Sequence, residues 1–345
     1  EIAQCLVGSE MCIRDSIKNG LGKNWRFLAV LYSAFGVLTV FGTGNATQVN
    51  TITTAIDTAL INFNVISESS TGRLNLILGI VITLLVGMVL LGGIKRIGSV
   101  SEKLVPFMAL FYIVLALGVV ILNIGRVPAV FHDIVYGAFN PSAVTGGVVG
   151  TMIVSMQKGV ARGIFSNEAG LGSAPIAAAA AQTKEPVRQG LVSMTGTFID
   201  TIVICTMTGL SIVLTGAWQV EGLEGVQVTT YAFQHGLPIP GQISAFVLMI
   251  CLVFFAFTTI LGWDYYSERC LEYLTNGHKK TILTYRWLYI LAVFIGPYMT
   301  VSAVWTIADI FNGLMAIPNM IALFALSGVI VKETKAFFAA EKHKM

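Results

Sequence analysis

The residues best suited to binding chemistry lie in one stretch, GIFSNEAGLGSAPIAAAAA, which spans residues 163–181. Ser166, Asn167 and Glu168 offer a hydroxyl, an amide and a carboxylate, although the surrounding sequence is almost entirely apolar. A carboxylate at membrane depth costs about 2.5–3.5 kcal/mol on insertion scales unless it is paired or hydrogen-bonded. These residue types therefore predict either a binding site or a clamp that orients the backbone around them.

The composition places this stretch in a membrane protein. Hydrophobic residues make up 55% of the 345 residues and charged residues 11%, with a mean hydropathy of +0.78, whereas about a quarter of the residues in soluble domains are charged. The net charge of +3 is small and dispersed, so we expect no nucleic-acid surface. The five cysteines form no CxxC pair and lie near no histidine cluster, which argues against a metal site or a disulfide framework.

Eight apolar segments predict transmembrane helices, because a hydrocarbon core needs about 20 apolar residues per helix. They span residues 27–40, 74–94, 104–123, 145–182, 191–214, 243–263, 288–305 and 317–331. Lysine and arginine concentrate in alternate loops, and these residues favour the cytoplasmic side. The chain is therefore predicted to be an all-α polytopic membrane protein whose native ends are both cytoplasmic.

The fourth segment is too long for one transmembrane helix. A helix over residues 145–184 would be about 60 Å long, roughly twice the thickness of the hydrocarbon core. Gly163, Gly170, Gly172 and Pro175 locate a break, since proline suits the first turn of a new helix. Half-helix ends at membrane depth offer N–H groups to an anion and carbonyls to a cation, as in secondary transporters. The alternative is a kinked helix with packing glycines only.

A second polar group lies after FGTG in the first apolar region. Asn45 and Gln48 are three residues apart, so they share a helix face, and with Phe41 they are predicted to line a substrate cavity. Asn50 follows them as a further candidate. The alternative is interhelical hydrogen bonding, which is worth less than ~2 kcal/mol per contact in membranes.

Two acidic residues have two interpretations each. Glu168 either orients the break by accepting backbone N–H bonds or interacts with a coupling cation. Asp200, flanked by Thr197 and Thr201, is either a hydrogen-bonded structural carboxyl that faces the bundle or a relay for a proton or sodium.

Oxygen-bearing side chains also lie in the later segments. Thr258 and Thr259 carry hydroxyls of the kind that a hard cation such as sodium needs, although threonine also commonly bonds to its own helix. Asp309 and Asn312, placed toward the outer end of the seventh segment, predict a helix cap or a gate lining.

Several motifs together resemble the alanine or glycine:cation symporters, the sodium:alanine symporter family. The longest begins GVARGIFSNEAGLGSAPIAAAAAQTKEP, and FGTGNATQVN, LLGGIKRIG, LVPFMALFYI, FTTILGWDYYSE and VWTIADIFNGLMAIPN follow the family's order. The resemblance implies a LeuT-type fold of two inverted five-helix repeats and sodium-coupled uptake of small amino acids. In that register, residues 17–142 are the last three helices of the first repeat, residues 143–331 are the second repeat and residues 332–345 are a cytoplasmic tail.

The resemblance also assigns roles to individual residues. Thr258 and Thr259 would complete a sodium site shared with an earlier broken helix, and Trp263 would limit the size of the substrate side chain. The full set of predicted substrate-binding residues is Phe41, Asn45, Gln48, Phe165, Ser166, Asn167, Gly170 and Trp263.

The first sixteen residues, EIAQCLVGSEMCIRDS, have no signal-peptide pattern. MCIRDS back-translates to a sequence that resembles a transposase end used in sequencing libraries, so residues 1–16 are interpreted as non-native. Family members carry additional N-terminal helices, including a first broken helix. The chain is therefore expected to be an N-terminally truncated fragment that does not transport alone.

The predicted function is sodium-coupled, or proton-coupled, symport of a small neutral amino acid such as alanine or glycine. We expect a multi-pass protein of a bacterial or archaeal plasma membrane, and a monomer is favoured. Sodium is the expected coupling ion, and no cofactor is expected. A carrier of another small solute on the same fold remains the alternative. An intramembrane enzyme is disfavoured because the sequence contains no HExxH, no GxSxG and no paired membrane aspartates.

Overall fold

The structure is a computed structural model that describes residues 17–139, 148–168, 170–179 and 185–342, and these residues are helical apart from short connections. The α-helices are α1 (Arg26–Thr39), α2 (Thr47–Asn62), α3 (Thr71–Leu90), α4 (Gly93–Leu122), α5 (Val127–Phe139), α6 (Val148–Asn167), α7 (Ala174–Ala178), α8 (Pro186–Thr197), α9 (Thr206–Thr215), α10 (Val226–Gly236), α11 (Gly241–Leu274), α12 (Lys279–Ile295) and α13 (Val301–Lys342). Two π-helical segments, Val40–Ala46 and Phe198–Cys205, join α1 to α2 and α8 to α9.

Six helical stretches in the described part of the chain are long and apolar enough to cross a membrane. They are Lys23–Asn62, Glu68–Leu90, Gly93–Leu122, Pro186–Thr215, Gly241–Leu274 and Val301–Ala340. An all-helical, multi-pass membrane protein is therefore confirmed for the described residues. Segments 145–182 and 288–305 are not among the six, so the count of eight, like the inverted-repeat division at 17–142 and 143–331, stays a prediction.

The first apolar helix is longer than predicted. It does not end at residue 40 but continues through the π-helical segment Val40–Ala46 into α2, as far as Asn62. A π-helical turn takes up an extra residue without breaking the helix, and such turns are frequent at functional sites. Asn45 and Gln48 therefore lie in the middle of a long helix and not at one end of a short one.

The predicted segment 288–305 is divided in the structure. Helix α12 ends at Ile295, a 3₁₀ turn covers Gly296–Tyr298, and α13 begins at Val301. A Cβ on Gly296 would lie 2.7 Å from Cβ of Val49, so this position needs glycine, and Pro297 starts the turn without an N–H to donate.

Helix α13 then runs without interruption past Pro318 to Lys342. The predicted tail, residues 332–345, is therefore the end of this helix as far as residue 342, and residues 343–345 lie outside the described residues. Asp309 and Asn312 lie inside α13, whereas the sequence placed them toward the outer end of the seventh segment.

Helix α11 is the centre of the packing. It contacts α1, α2, α4 and α12 as well as the π-helical segment Val40–Ala46. Ile260, Leu261 and Trp263 are at most 2% exposed, and Trp263 lies so close to the π-helical segment that a Cβ on Gly44 would be 2.2 Å from its Cβ. The π-helical segment can approach α11 only because residue 44 lacks a side chain.

We expect Gly44→Ala to destabilise the protein by about 1–3 kcal/mol, because an added methyl group overpacks the contact with Trp263. The thermal denaturation midpoint in detergent measures the effect. Gly98→Ala is the matched control, since Gly98 lies within α4 and a Cβ there would meet no atom within 4 Å. An unchanged midpoint for Gly44→Ala would contradict the close approach of the two helices.

Candidate functional site

The predicted break in the fourth segment is present between α6 and α7. Helix α6 ends at Asn167, and Glu168 has a φ of 58°, a left-handed conformation that is uncommon for a residue other than glycine. Gly172 has a φ of 76°, and Pro175 lies in the first turn of α7, as predicted. Gly163 lies inside α6, so it does not mark the break.

Part of this region lies outside the described residues. Residue 169, residues 180–184 and the side chain of Asn167 belong to that part. The predicted continuation of the second half-helix to residue 181 and the predicted substrate contact of Asn167 therefore stay predictions.

Side chains from two distant helices hold the backbone of the break. Tyr32 of α1 donates its hydroxyl to the carbonyl of Gly172 at 2.7 Å, and Asn319 of α13 donates its amide to the carbonyl of Gly170 at 2.9 Å. Non-helical backbone at membrane depth requires such partners, because no water is present in the hydrocarbon to replace them. The break is thus anchored by side chains of both α1 and α13.

The carboxylate of Glu168 joins the break to α11. Ser173 donates its hydroxyl to Oε2 of Glu168 at 2.9 Å, and the side chains of Trp263 and Tyr266 also hydrogen-bond this carboxylate. The backbone N–H groups of Leu171 and Gly172 donate to the carbonyl of Glu168 at 3.0 Å. This arrangement favours the interpretation of Glu168 as a residue that orients the break.

Ser166 and Asp200 connect α6 to the second π-helical segment. The Ser166 hydroxyl donates to Oδ2 of Asp200 at 2.5 Å and lies 3.2 Å from Sγ of Cys205. Thr201 also hydrogen-bonds Asp200, whereas Thr197 donates to its own helix, to the carbonyl of Ser193. Of the two threonines expected beside Asp200, the structure brings only Thr201 to the carboxylate.

Phe165 lies in a contact between α6 and α13. Its ring centroid is 5.1 Å from that of Trp305, and the guanidinium of Arg162 lies 4.2 Å from the centroid of the same indole. Arg162 also forms an ion pair of 2.9 Å with Asp309. Asp309, predicted as a cap or a gate residue, thus bridges α13 to the half-helix that leads into the break.

The side chains at the first helix that were predicted to line a substrate cavity contact several different partners. Asn45 is fully buried and donates to the carbonyl of Tyr289 at 3.0 Å, whereas Gln48 donates to the carbonyl of Thr43. Phe41 packs against the rings of Tyr285 and Tyr289. The structure therefore brings Asn45 and Phe41 to α12 and does not give Asn45 and Gln48 a common partner.

Asn50 and Asn312 connect α2 and the π-helical segment to the second half of the chain. The Asn50 amide donates to the carbonyl of Met299 at 2.7 Å, and Thr43 donates its hydroxyl to Oδ1 of Asn312 at 2.7 Å. Asn50 also borders a cavity of about 280 Å³ whose lining includes Trp305. The described residues that line this cavity include none of the predicted substrate-binding residues.

The threonines predicted to bind sodium lie on α11, one turn before Trp263. Thr258 donates to the carbonyls of Phe254 and Phe255 at 3.0 Å, and Thr259 donates to that of Phe255 at 2.8 Å. A hydroxyl that donates to its own helix keeps its lone pairs free to accept a cation. The described residues contain no group of three or more His, Cys, Asp or Glu side chains that could hold a metal ion.

The sequence analysis did not identify three features of the site: Tyr32, Asn319 and the charged residues of α11. Tyr32 and Asn319 carry no local signal, since their partners at the break are 140 and 149 residues away. Asp264 and Glu268 are spaced by four in GWDYYSERC, which does indicate a shared helix face.

Removal of one anchor of the break is expected to destabilise the protein. Tyr32→Phe leaves the carbonyl of Gly172 without this donor, and a buried polar group without a partner costs about 1–3 kcal/mol. Tyr298→Phe is the control, because Tyr298 is 53% exposed. Thermal denaturation in detergent tests the pair, and equal midpoints for the two variants would argue against an anchored break.

Comparison with known proteins agrees with the motifs. A sequence model described as the sodium:alanine symporter family matches residues 14–345. The chain is 49% identical over 349 residues to an uncharacterised transporter of Haemophilus influenzae, covering 97% of this chain and 73% of the relative. It is 46% identical over 329 residues to a sodium/alanine symporter of Methanococcus maripaludis, covering 94% and 68%.

A further relative is named for a substrate other than alanine. The chain is 36% identical over 329 residues to a probable sodium/glutamine symporter of Bacillus subtilis, covering 94% of this chain and 64% of the relative. These matches identify a transporter family and not an enzyme family. The chain belongs to the sodium:alanine symporter family.

Proposed function

We propose that this chain carries out sodium-coupled symport of a small neutral amino acid, with alanine as the first candidate. The observation that carries the proposal is the broken helix at residues 168–173, whose backbone is fixed by Tyr32, Asn319 and the Glu168 carboxylate. Discontinuous helices held in this way form substrate and ion sites in secondary transporters. The relative named as a sodium/alanine symporter supports alanine and sodium as the transported pair.

The substrate site is proposed to lie on the face of the break toward α11. Phe165 and Ser166 precede the break, Gly170 lies within it, and Trp263 forms the α11 side through its contact with Glu168. The volume of Trp263 would exclude a long side chain, which favours alanine or glycine over larger amino acids. Phe41, Asn45 and Gln48 are proposed to contribute from the first helix when the transporter changes conformation, and Asn167 is proposed to complete the set.

Sodium is proposed to bind at Thr258 and Thr259, together with ligands from an earlier helix of the family. One alternative is coupling to protons, and another is glycine as the substrate. A third is transport of another small solute, since one relative is named as a probable sodium/glutamine symporter.

The test is uptake of labelled alanine into proteoliposomes. Uptake by the reconstituted protein is measured under an inward sodium gradient and under a matched potassium gradient. The protein is expected to accumulate alanine only with sodium. Accumulation that is equal in potassium would contradict sodium coupling, and accumulation of labelled glutamine without accumulation of labelled alanine would contradict the substrate.

Thr259 provides a sharper test of the sodium site. Thr259→Val removes a proposed ligand oxygen at nearly constant volume, so the sodium concentration for half-maximal uptake is expected to rise at least tenfold, which corresponds to about 1.4 kcal/mol. Thr259→Ser keeps the hydroxyl and is expected to remain close to the wild type. If the valine and serine variants show the same sodium dependence, Thr259 is not a ligand.

A further inference from the structure

Helix α11 buries two carboxylates one helical turn apart. Asp264 is 1% exposed and Glu268 is 4% exposed, and residues four apart lie on the same face of a helix. Arg286 of α12 forms an ion pair with Glu268, and its positive charge also acts on Asp264. The proposed sodium and substrate sites use neither residue.

The positive charge of Arg286 is committed to Glu268. Its Nε donates to Oε1 of Glu268 at 2.5 Å, and its Nη2 donates to Oε2 at 2.7 Å. This is the two-pronged geometry that fixes a guanidinium on one carboxylate. With Glu268 neutralised, an ionised Asp264 would leave one net negative charge in a buried part of the bundle.

The polar groups around Asp264 are directed elsewhere. Tyr285 donates its hydroxyl to the carbonyl of Val37 at 2.9 Å, and Tyr289 donates to the carbonyls of Gly44 and Ile260. Ser267 donates to the backbone carbonyl of Asp264 and not to its carboxylate. Oδ1 of Asp264 is buried and has no hydrogen-bond partner among the described residues.

The charges that act on Asp264 are therefore few. In the described part of the chain they are those of Glu268, on its own helix, and Arg286, on α12. Tyr285 and Tyr289 face the carboxyl from α12 as neutral phenols, and Cys270 lies beside Tyr285. The charged residues of α1, α2 and α4, which also pack against α11, are not among the charges that act on this carboxyl in the described part of the chain.

We propose that Asp264 is a proton-binding site, at which one proton joins the carboxylate and cancels the unpaired buried charge. Burial disfavours an ionised carboxylate that has no partner, and a proton restores neutrality without any further ligand. A sodium ion would need several oxygens, whereas a proton needs only one carboxylate oxygen, and Oδ1 of Asp264 has no partner among the described residues. A proton is thus the ligand that this cluster fits.

The site is connected to the break. Trp263, the residue before Asp264, contacts the Glu168 carboxylate and packs against Gly44. A change in the break that moves Trp263 would also expose or bury Asp264, and so release or bind its proton. The coupling between the break and the proton on Asp264 rests on the proposed function. The location of the proton on Asp264 does not.

Infrared difference spectroscopy of the purified protein in lipid locates the proton directly. The spectrum of the wild type minus that of Asp264→Asn is expected to show the carbonyl band of a neutral carboxyl. The matched control is Asp309→Asn, which removes a carboxylate that is paired with Arg162, and its difference spectrum is expected to show an ionised carboxylate. An ionised carboxylate in the Asp264→Asn difference would overturn the proposal.

Two further variants keep the test decisive. If Asp264→Asn does not fold, Asp264→Glu retains the acid and is expected to shift the neutral band without removing it. In Glu268→Gln, Arg286 loses its partner and becomes available to Asp264, so the neutral band is expected to diminish. A neutral band that is unaffected by every change at residue 264 would assign the proton to another group and overturn the proposal.

Alanine uptake by the same variants separates this site from the proposed function. Sodium-driven uptake that depends on external pH in the wild type, and loses that dependence in Asp264→Asn, supports coupling through this proton. Uptake with the same pH dependence in both proteins overturns the coupling. Absence of sodium-driven uptake in the wild type refutes the proposed function, while the infrared result still decides where the proton lies.

Discussion

The polar backbone of a broken helix is the constraint on which the rest of this structure depends. A chain inside a bilayer can leave the α-helix only where other parts of the protein satisfy the exposed carbonyl and N–H groups. Here Tyr32 of α1 and Asn319 of α13 donate hydrogen bonds to carbonyls of the break. Helices α1 and α13 must therefore lie next to α6 and α7, although they are the first and last long helices of the described chain.

The same principle governs the acidic side chains. Glu168, Asp200, Glu268 and Asp309 each have a hydrogen-bond or ion-pair partner on another segment. These partners are drawn from α11, α6 and α12, so the carboxylates join elements that are distant in sequence. Asp264 departs from the pattern, because its Oδ1 has no partner among the described residues, and this departure distinguishes a proton site from a structural ion pair.

Much of the break could be predicted from the sequence because its causes are local. Helix length alone requires an interruption between residues 145 and 184, and Pro175 marks where the next helix begins. The partners of the break could not be predicted, since Tyr32 and Asn319 resemble any other polar residue in an apolar helix. The length of the first helix was also missed, because the π-helical segment Val40–Ala46 adds a residue without a proline or a charge to mark it.

The central claim is that the break at residues 168–173 binds alanine in a sodium-dependent way. Equilibrium binding of labelled alanine to the protein tests this most directly, in sodium and in potassium, for the wild type and for Ser166→Ala. Alanine is expected to bind in sodium and not in potassium, and Ser166→Ala is expected to weaken binding at least tenfold, or about 1.4 kcal/mol. Equal binding in both salts, or unchanged affinity in Ser166→Ala, would contradict a sodium-coupled amino-acid site at the break.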